Sequence, residues 1–221
     1  DLVVTGVQTC ALPISLTALL FAELCEEIGL PKGVFNLVTG DGTTGSELVN
    51  HEGISKIAFT GSTSVGKYIQ NAVGERDIGL TLELGGKAAN IVYNDAALDQ
   101  AVEGVVNGIF FNQGHVCCAG SRLLLQEDIH DEFINKLEKR MQTLRVGYPL
   151  DKNTDIGAIN SKEQLEKITS LVNEGVNDGG ELFQIECDLP SSGYWFRPSL
   201  FTNVQPSYNI AREEKIGRAH V

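Results

Sequence analysis

Between residues 34 and 86 short apolar runs alternate with helical stretches, and glycine marks nearly every hand-over. VFNLVTG (34–40) reads as a strand. DGTTGSELVNH (41–51) then opens a helix, SKIAFTG (55–61) is a second strand and STSVGKYIQNAVG (62–74) a second helix. GLTLELGG (79–86) completes the series as a third strand. Strand–helix–strand alternation leaves few solutions, because a strand can run parallel to its predecessor only through a crossover on one face of the sheet. The expected class is therefore α/β with a parallel sheet. An earlier segment, LTALLFAELCEEIG, sets Leu16, Leu19, Leu20 and Leu24 at helical spacing, with Gly29 as the stop.

Beyond Gly86 the elements lengthen. AALDQAVEGVVNGIFFNQG puts Leu98, Ala101, Val102, Val105, Ile109 and Phe110 on one side of a helix that runs into a loop. SRLLLQ reads as a strand and IHDEFINKLEKRMQTL as a helix with acid–base pairs on its wet face. SKEQLEKITSLVNEGV is a further helix, with Ser161 as N-cap and Gln164 at the third position, and FRPSLFTNV is a strand. The glycine pair Gly85–Gly86 is the expected boundary between two α/β units.

The bulk composition excludes several classes of partner. Twenty-nine acidic residues outweigh 17 basic ones, for a net charge of −12, which opposes nucleic acid or an anionic membrane surface. The acidic residues are scattered, as on a solvated surface. Five cysteines without a disulfide-framework spacing indicate a reducing compartment, hence the cytoplasm. No apolar run reaches the ~20 residues of a membrane span.

Both ends read as foreign. TCALPI (9–14) and IGRAHV (216–221) can be encoded by one DNA segment read in opposite orientations, and both resemble a translated sequencing adapter. Residues 1–15 and 215–221 are accordingly expected to be non-native and are set aside from fold reasoning.

Three stretches carry chemistry. In FTGSTSVGKY (59–68) a strand passes into a helix through glycine, serine and threonine, and helix N-terminal N–H groups make such a turn a seat for phosphate. Gly61, Gly66 and Lys67 almost complete a nucleotide-triphosphate loop, but Tyr68 stands where that loop needs a Mg²⁺-binding Ser or Thr. In TLELGGK (81–87) Glu83 lies between leucines at a strand end, where desolvation would raise its pKa and suit it to general-base work. In NQGHVCCAGSR (112–122) Cys117 and Cys118 lie in a glycine-rich loop that could present a thiolate, although an isolated cysteine pair is more often buried and inert. Histidines 51, 115 and 130 have no metal-ligand spacing, so no metal is expected.

Taken in order, the phosphate turn, Leu-Glu-Leu-Gly-Gly and F-x-x-x-G-x-x-C-x-A from Phe110 to Ala119 resemble the aldehyde dehydrogenase superfamily. The resemblance runs from Leu16 to about Glu214. It implies part of a Rossmann-like parallel-sheet cofactor domain (16–85) followed by part of an α/β catalytic domain (86–214). It also implies NAD or NADP as cofactor and a small-molecule aldehyde as substrate, with a homo-oligomeric parent. In the family pattern the nucleophile follows Gly-Gln-x, so Gly114-His115-Val116 points to Cys117, and Glu83 matches the general base. Gly61 and Ser62 match residues beside the cofactor pyrophosphate, with Gly66 and Gly85 in the same cofactor-binding set. Phe35 and Asn36 fit the cofactor domain, and Glu214 matches a contact to the nicotinamide ribose. The implied chemistry is oxidation of an aldehyde to a carboxylic acid through a cysteine thiohemiacetal and thioester.

Two departures stand beside this. His115 replaces the usual glutamine, and could either lower the thiol pKa or be merely tolerated. The family's first cofactor-domain half, its oxyanion-hole asparagine and its oligomerisation arm have no counterpart here. The expectation is therefore a truncated chain with little or no activity of its own. A catalytically silent scaffold of the same family and a phosphate-loop hydrolase are the rival readings.

Overall fold

The computed structural model describes residues 15–213; Glu214 and, of the ends expected to be non-native, residues 1–14 and 215–221 lie outside them. The chain divides into two compact units between Leu84 and Gly85.

The first unit opens with α1 (Ser15–Glu27). Gly29 ends it at φ +77, a left-handed turn natural to glycine, while the N–H of Leu30 reaches back to the Cys25 carbonyl at 3.0 Å. Its leucine stripe is not covered: Leu16, Leu19, Leu20 and Leu24 are between 40% and 77% exposed, and Phe21 meets Phe35 edge-on at 5.3 Å. Residues 34–40 depart from the expected strand. They join no β-ladder, and the Asn36 side-chain amide folds back to the Gly33 carbonyl at 2.9 Å. An apolar run becomes a strand only when a neighbour takes up its backbone groups.

Next come α2 (Gly42–Asn50), capped by the Asp41 carboxylate on the Thr43 N–H, and β1 (Lys56–Gly61). The helix α3 (Thr63–Val73) crosses to β2 (Gly79–Leu84), which pairs parallel with β1 from Lys56↔Gly79 to Gly61↔Leu84. Val49, Ile69 and Val73 form the core between helices and sheet, with Ile57, Phe59, Leu80 and Leu82 packed against them. The Arg76 guanidinium ties the unit together, donating to the carbonyls of Val49, His51 and Ile54.

In the second unit β3 (Ala89–Val92) pairs parallel with β4 (Arg122–Leu125). β3 is not among the strands expected from the sequence, because four residues shortly after a glycine pair give too short a signal. Between these strands runs α4 (Leu98–Phe110), and α5 (His130–Met141) follows β4. Phe133, Leu137 and Met141 of α5, at helical spacing, meet Val102, Val105 and Val106 of α4 in one buried cluster. On the wet side Lys136 pairs with Asp99 at 2.7 Å and Arg140 with Glu103 at 2.6 Å. Exposed pairs of this kind add little stability, ~0.2–1 kcal/mol each.

α6 (Lys162–Asn177) starts where Ser161 Oγ accepts the Gln164 N–H at 3.1 Å. β5 (Glu181–Gln184) pairs antiparallel with β6 (Ser199–Thr202), and a short α7 (Asn209–Arg212) follows. β5 was likewise not anticipated, and β6 is shorter than FRPSLFTNV suggested. Among the described residues no helix is long and apolar enough to cross a membrane.

Candidate active site

In the first unit the candidate residues lie at the β1–α3 junction. Gly61 ends β1 and is buried; a Cβ there would collide with the Phe59 ring. Ser62 is the N-cap, its Oγ accepting the Val65 N–H at 3.3 Å while its carbonyl takes the Gly66 N–H at 3.0 Å. The N–H groups of Thr63 and Ser64 have no partner among the described residues, so the first turn of α3 keeps two donors at the positive end of its dipole. Gly66 faces β2, where a Cβ would run into the Leu84 side chain, so glycine lets the helix lie close to the strand. Tyr68, where a triphosphate loop would hold its magnesium, is bonded instead to α2. Its hydroxyl lies 2.6 Å from Ser46 Oγ and accepts the Asn50 side-chain amide at 3.1 Å.

Glu83 sits in β2 opposite Thr60. The strand alternates strictly. Leu80, Leu82 and Leu84 are half-buried, while Thr81 and Glu83 lie on the other face and are exposed. The desolvated carboxylate expected from its leucine neighbours is therefore absent: pleating sends the neighbours to the opposite face. Gly85 follows in the loop that opens the second unit.

The second unit carries the nucleophile loop. α4 ends at Phe110, and the chain then makes a left-handed turn through Asn112 (φ 51, ψ 39), Gln113 (φ 56, ψ 24) and Gly114 (φ 75). Asparagine and glycine accept this region readily; glutamine does so at a cost of about 1–2 kcal/mol. Cys117 and Cys118 follow as the central residues of a turn closed by the Ala119 N–H on the Val116 carbonyl at 3.0 Å. Both thiols are free and exposed, so the buried, inert pair that an isolated Cys-Cys suggests is not what forms. The Cys117 N–H has no hydrogen-bond partner among the described residues, which leaves it open to an oxyanion. Gly86 also approaches this loop, a Cβ there lying 3.9 Å from the Cys117 carbonyl oxygen.

The His115 ring is held on the Asn112 side of the turn. Its Nδ1 lies 3.2 Å from the Asn112 carbonyl, which fixes the proton on Nδ1, and its Nε2 is buried without a well-formed hydrogen bond. Burial holds its pKa below the usual 6.5, outweighing the opposing effects of the Asn112 carbonyl and the Asn160 side chain. At neutral pH the ring is uncharged, so it does not supply the positive charge that would favour a thiolate. Linkage gives a test. Near pH 6 the unfolded chain binds more protons at this position than the folded one, so stability falls as pH drops below 6.5 towards the folded pKa. His115→Gln should flatten the pH dependence of Tm between pH 7 and 5; an unchanged slope would show that the ring does not titrate in this way.

What fixes the loop at its two ends lies far from it in sequence. Asn90 of β3 donates its amide to the Gly120 carbonyl at 3.0 Å and packs against Gly108, while Gly120 N–H reaches the Gly108 carbonyl at 3.0 Å. At the entry, Gln113 Oε1 accepts the Gly157 N–H at 2.8 Å. The one available signal was the polar Asn90 inside an apolar strand.

With this geometry in place, comparison with known proteins is direct. Residues 7–217 match the profile of the aldehyde dehydrogenase family. The chain belongs to that family. It is 44% identical over 204 residues to the human protein named aldehyde dehydrogenase, mitochondrial, a match covering 91% of this chain and 40% of the human one. An NAD-dependent aldehyde dehydrogenase from Sinorhizobium meliloti superposes with a TM-score of 0.91 at 38% identity, over 96% of this chain and 43% of that one. An aldehyde dehydrogenase from Bacillus cereus, solved as an NAD+ complex, gives 0.86 at 38% identity over 91% and 41%. The chain thus spans about 40% of the length of the human relative.

Proposed function

We propose that the protein containing this chain oxidises an aldehyde to a carboxylic acid with NAD or NADP, and that Cys117 is the nucleophile. The observation that carries the reading is the exposed Cys117 thiol in a turn whose own N–H is unpaired, in a chain of this family. Cys117 Sγ, as thiolate, adds to the aldehyde carbon, and the Cys117 N–H stabilises the oxyanion of the resulting thiohemiacetal. The free N–H groups of Thr63 and Ser64 fit a dinucleotide pyrophosphate, in a turn that Gly61 and Gly66 let pack close to Phe59 and Leu84 and that Ser62 caps. Gly85 in the joining loop and Glu214 on the nicotinamide ribose are assigned to the same cofactor by resemblance. When bound, the nicotinamide supplies the hydride acceptor that turns thiohemiacetal into thioester. Glu83 then takes a proton from the water that hydrolyses the thioester, and its exposed position in this chain gives it access to that water.

The same reading makes the protein a homo-oligomer of a reducing, cytoplasmic compartment, consistent with the free thiols of Cys25, Cys117, Cys118 and Cys187. The NAD+ complex of the Bacillus cereus relative supports the cofactor assignment. An activated ester tests the acyl chemistry without cofactor. Treated with p-nitrophenyl acetate, the chain should acquire an acetyl group on Cys117. Glu83→Gln should leave its formation intact and slow its loss about ten-fold or more, as followed by peptide mass spectrometry. Acetyl on Cys118 alone would move the nucleophile, and unchanged hydrolysis in Glu83→Gln would remove Glu83 from the base role.

A further inference from the structure

We infer that Gln113 is a positioning residue: its carboxamide, held by the Gly157 N–H, sets the left-handed turn that aims Cys117. The inference rests on Cys117 being the nucleophile. Gln113 is the one residue of the turn with neither glycine's freedom nor asparagine's tolerance for positive φ, so something outside its own backbone must hold it there. Its Oε1 accepts the Gly157 N–H at 2.8 Å. Gly157 gives the carboxamide room, since a Cβ there would stand 3.2 Å from Oε1.

The anchor is itself fixed. Ile156 and Ile159 on either side are buried, and Ile156 bridges to Val146. At the far end of the loop Asn90 holds the Gly120 carbonyl at 3.0 Å. Residues 114–119 are thus strung between two amide contacts, with the Cys117 thiol and its unpaired N–H in the middle. Releasing Gln113 frees the turn to relax towards right-handed φ, and the thiol loses its alignment with the N–H donor that an acyl-transfer oxyanion needs.

Two reactions at the same sulfur separate positioning from general damage. Acetylation by p-nitrophenyl acetate passes through an oxyanion, whereas alkylation by iodoacetamide is a direct displacement that builds none. In the 221-residue chain, Gln113→Met keeps the side-chain length but removes the acceptor. It should slow Cys117 acetylation about ten-fold and leave iodoacetamide alkylation within about two-fold, with an unchanged urea midpoint. Gln113→Glu, which keeps an acceptor for the Gly157 N–H, should restore acetylation to within about three-fold of the parent chain. If Gln113→Met does not fold, Gly157→Ala displaces the same contact from the other side and should give the same split. Equal loss of both reactions, no loss of either, or failure of the Glu variant to rescue would overturn the inference. Absence of any Cys117 acetylation in the unmodified chain would overturn the nucleophile assignment and this inference together. Normal acetylation with an indifferent Gln113→Met overturns the inference alone.

Discussion

Cys117→Ser should lower acetylation of the chain by p-nitrophenyl acetate by at least about a thousand-fold, while Cys118→Ser stays within about two-fold of the parent. The gap between the variants comes from two sources. A cysteine thiol is intrinsically far more nucleophilic than a serine hydroxyl, which needs an adjacent base to act. The nearest imidazole offers none, because His115 has its Nδ1 on the Asn112 carbonyl and its Nε2 buried. Exposure does not separate the two cysteines, since both thiols are open. What separates them is the family's pattern around Gly114, which points to Cys117. Release of p-nitrophenolate followed against time, with the acetylated peptide identified, gives the answer. Equal loss in the two variants would mean that the thiols act interchangeably and that the turn selects neither.

How much of this was legible beforehand depended on whether the cause was local. The Ser161 cap, the Gly29 stop and the α5 helix with its acid–base pairs follow from residues a few positions apart, and the structure contains all of them. The signal from which Cys117 is proposed, Phe110 to Ala119, is also short-range. Elements that depend on a distant neighbour were not legible. Residues 34–40 have strand composition but no ladder, whereas β3 has a ladder with little composition to announce it. The expected burial of Glu83 was misjudged for a related reason. Flanking leucines look like burial in a linear reading, but the period of two in a strand places them on the face that Glu83 does not share. The contacts of Asn90 and Gln113 cross 30 and 44 positions respectively, and no window of sequence contains both partners.

The largest stability change is expected at Phe133, far in sequence from any residue assigned chemistry. Phe133 is fully buried, and its cluster includes Val102, Val105 and Val106 of α4, the helix that delivers the chain into the nucleophile turn. Phe133→Ala removes a whole ring from between two helices that β3 and β4 hold in place, so the cavity can collapse only in part. The cost should be about 3–5 kcal/mol, most of what a domain of this size has to spare. By contrast Arg140→Met, which breaks the 2.6 Å pair with Glu103 on the same helix, should cost about 1 kcal/mol or less, because that pair is solvated. Trp195, the sole tryptophan, lies in the second unit, so the urea dependence of its fluorescence reports the unit that contains both mutations. A Phe133→Ala midpoint no lower than that of Arg140→Met would mean that α4 and α5 are held by their surface charges. The turn carrying Cys117 would then hang from a different support than the buried α4–α5 seam.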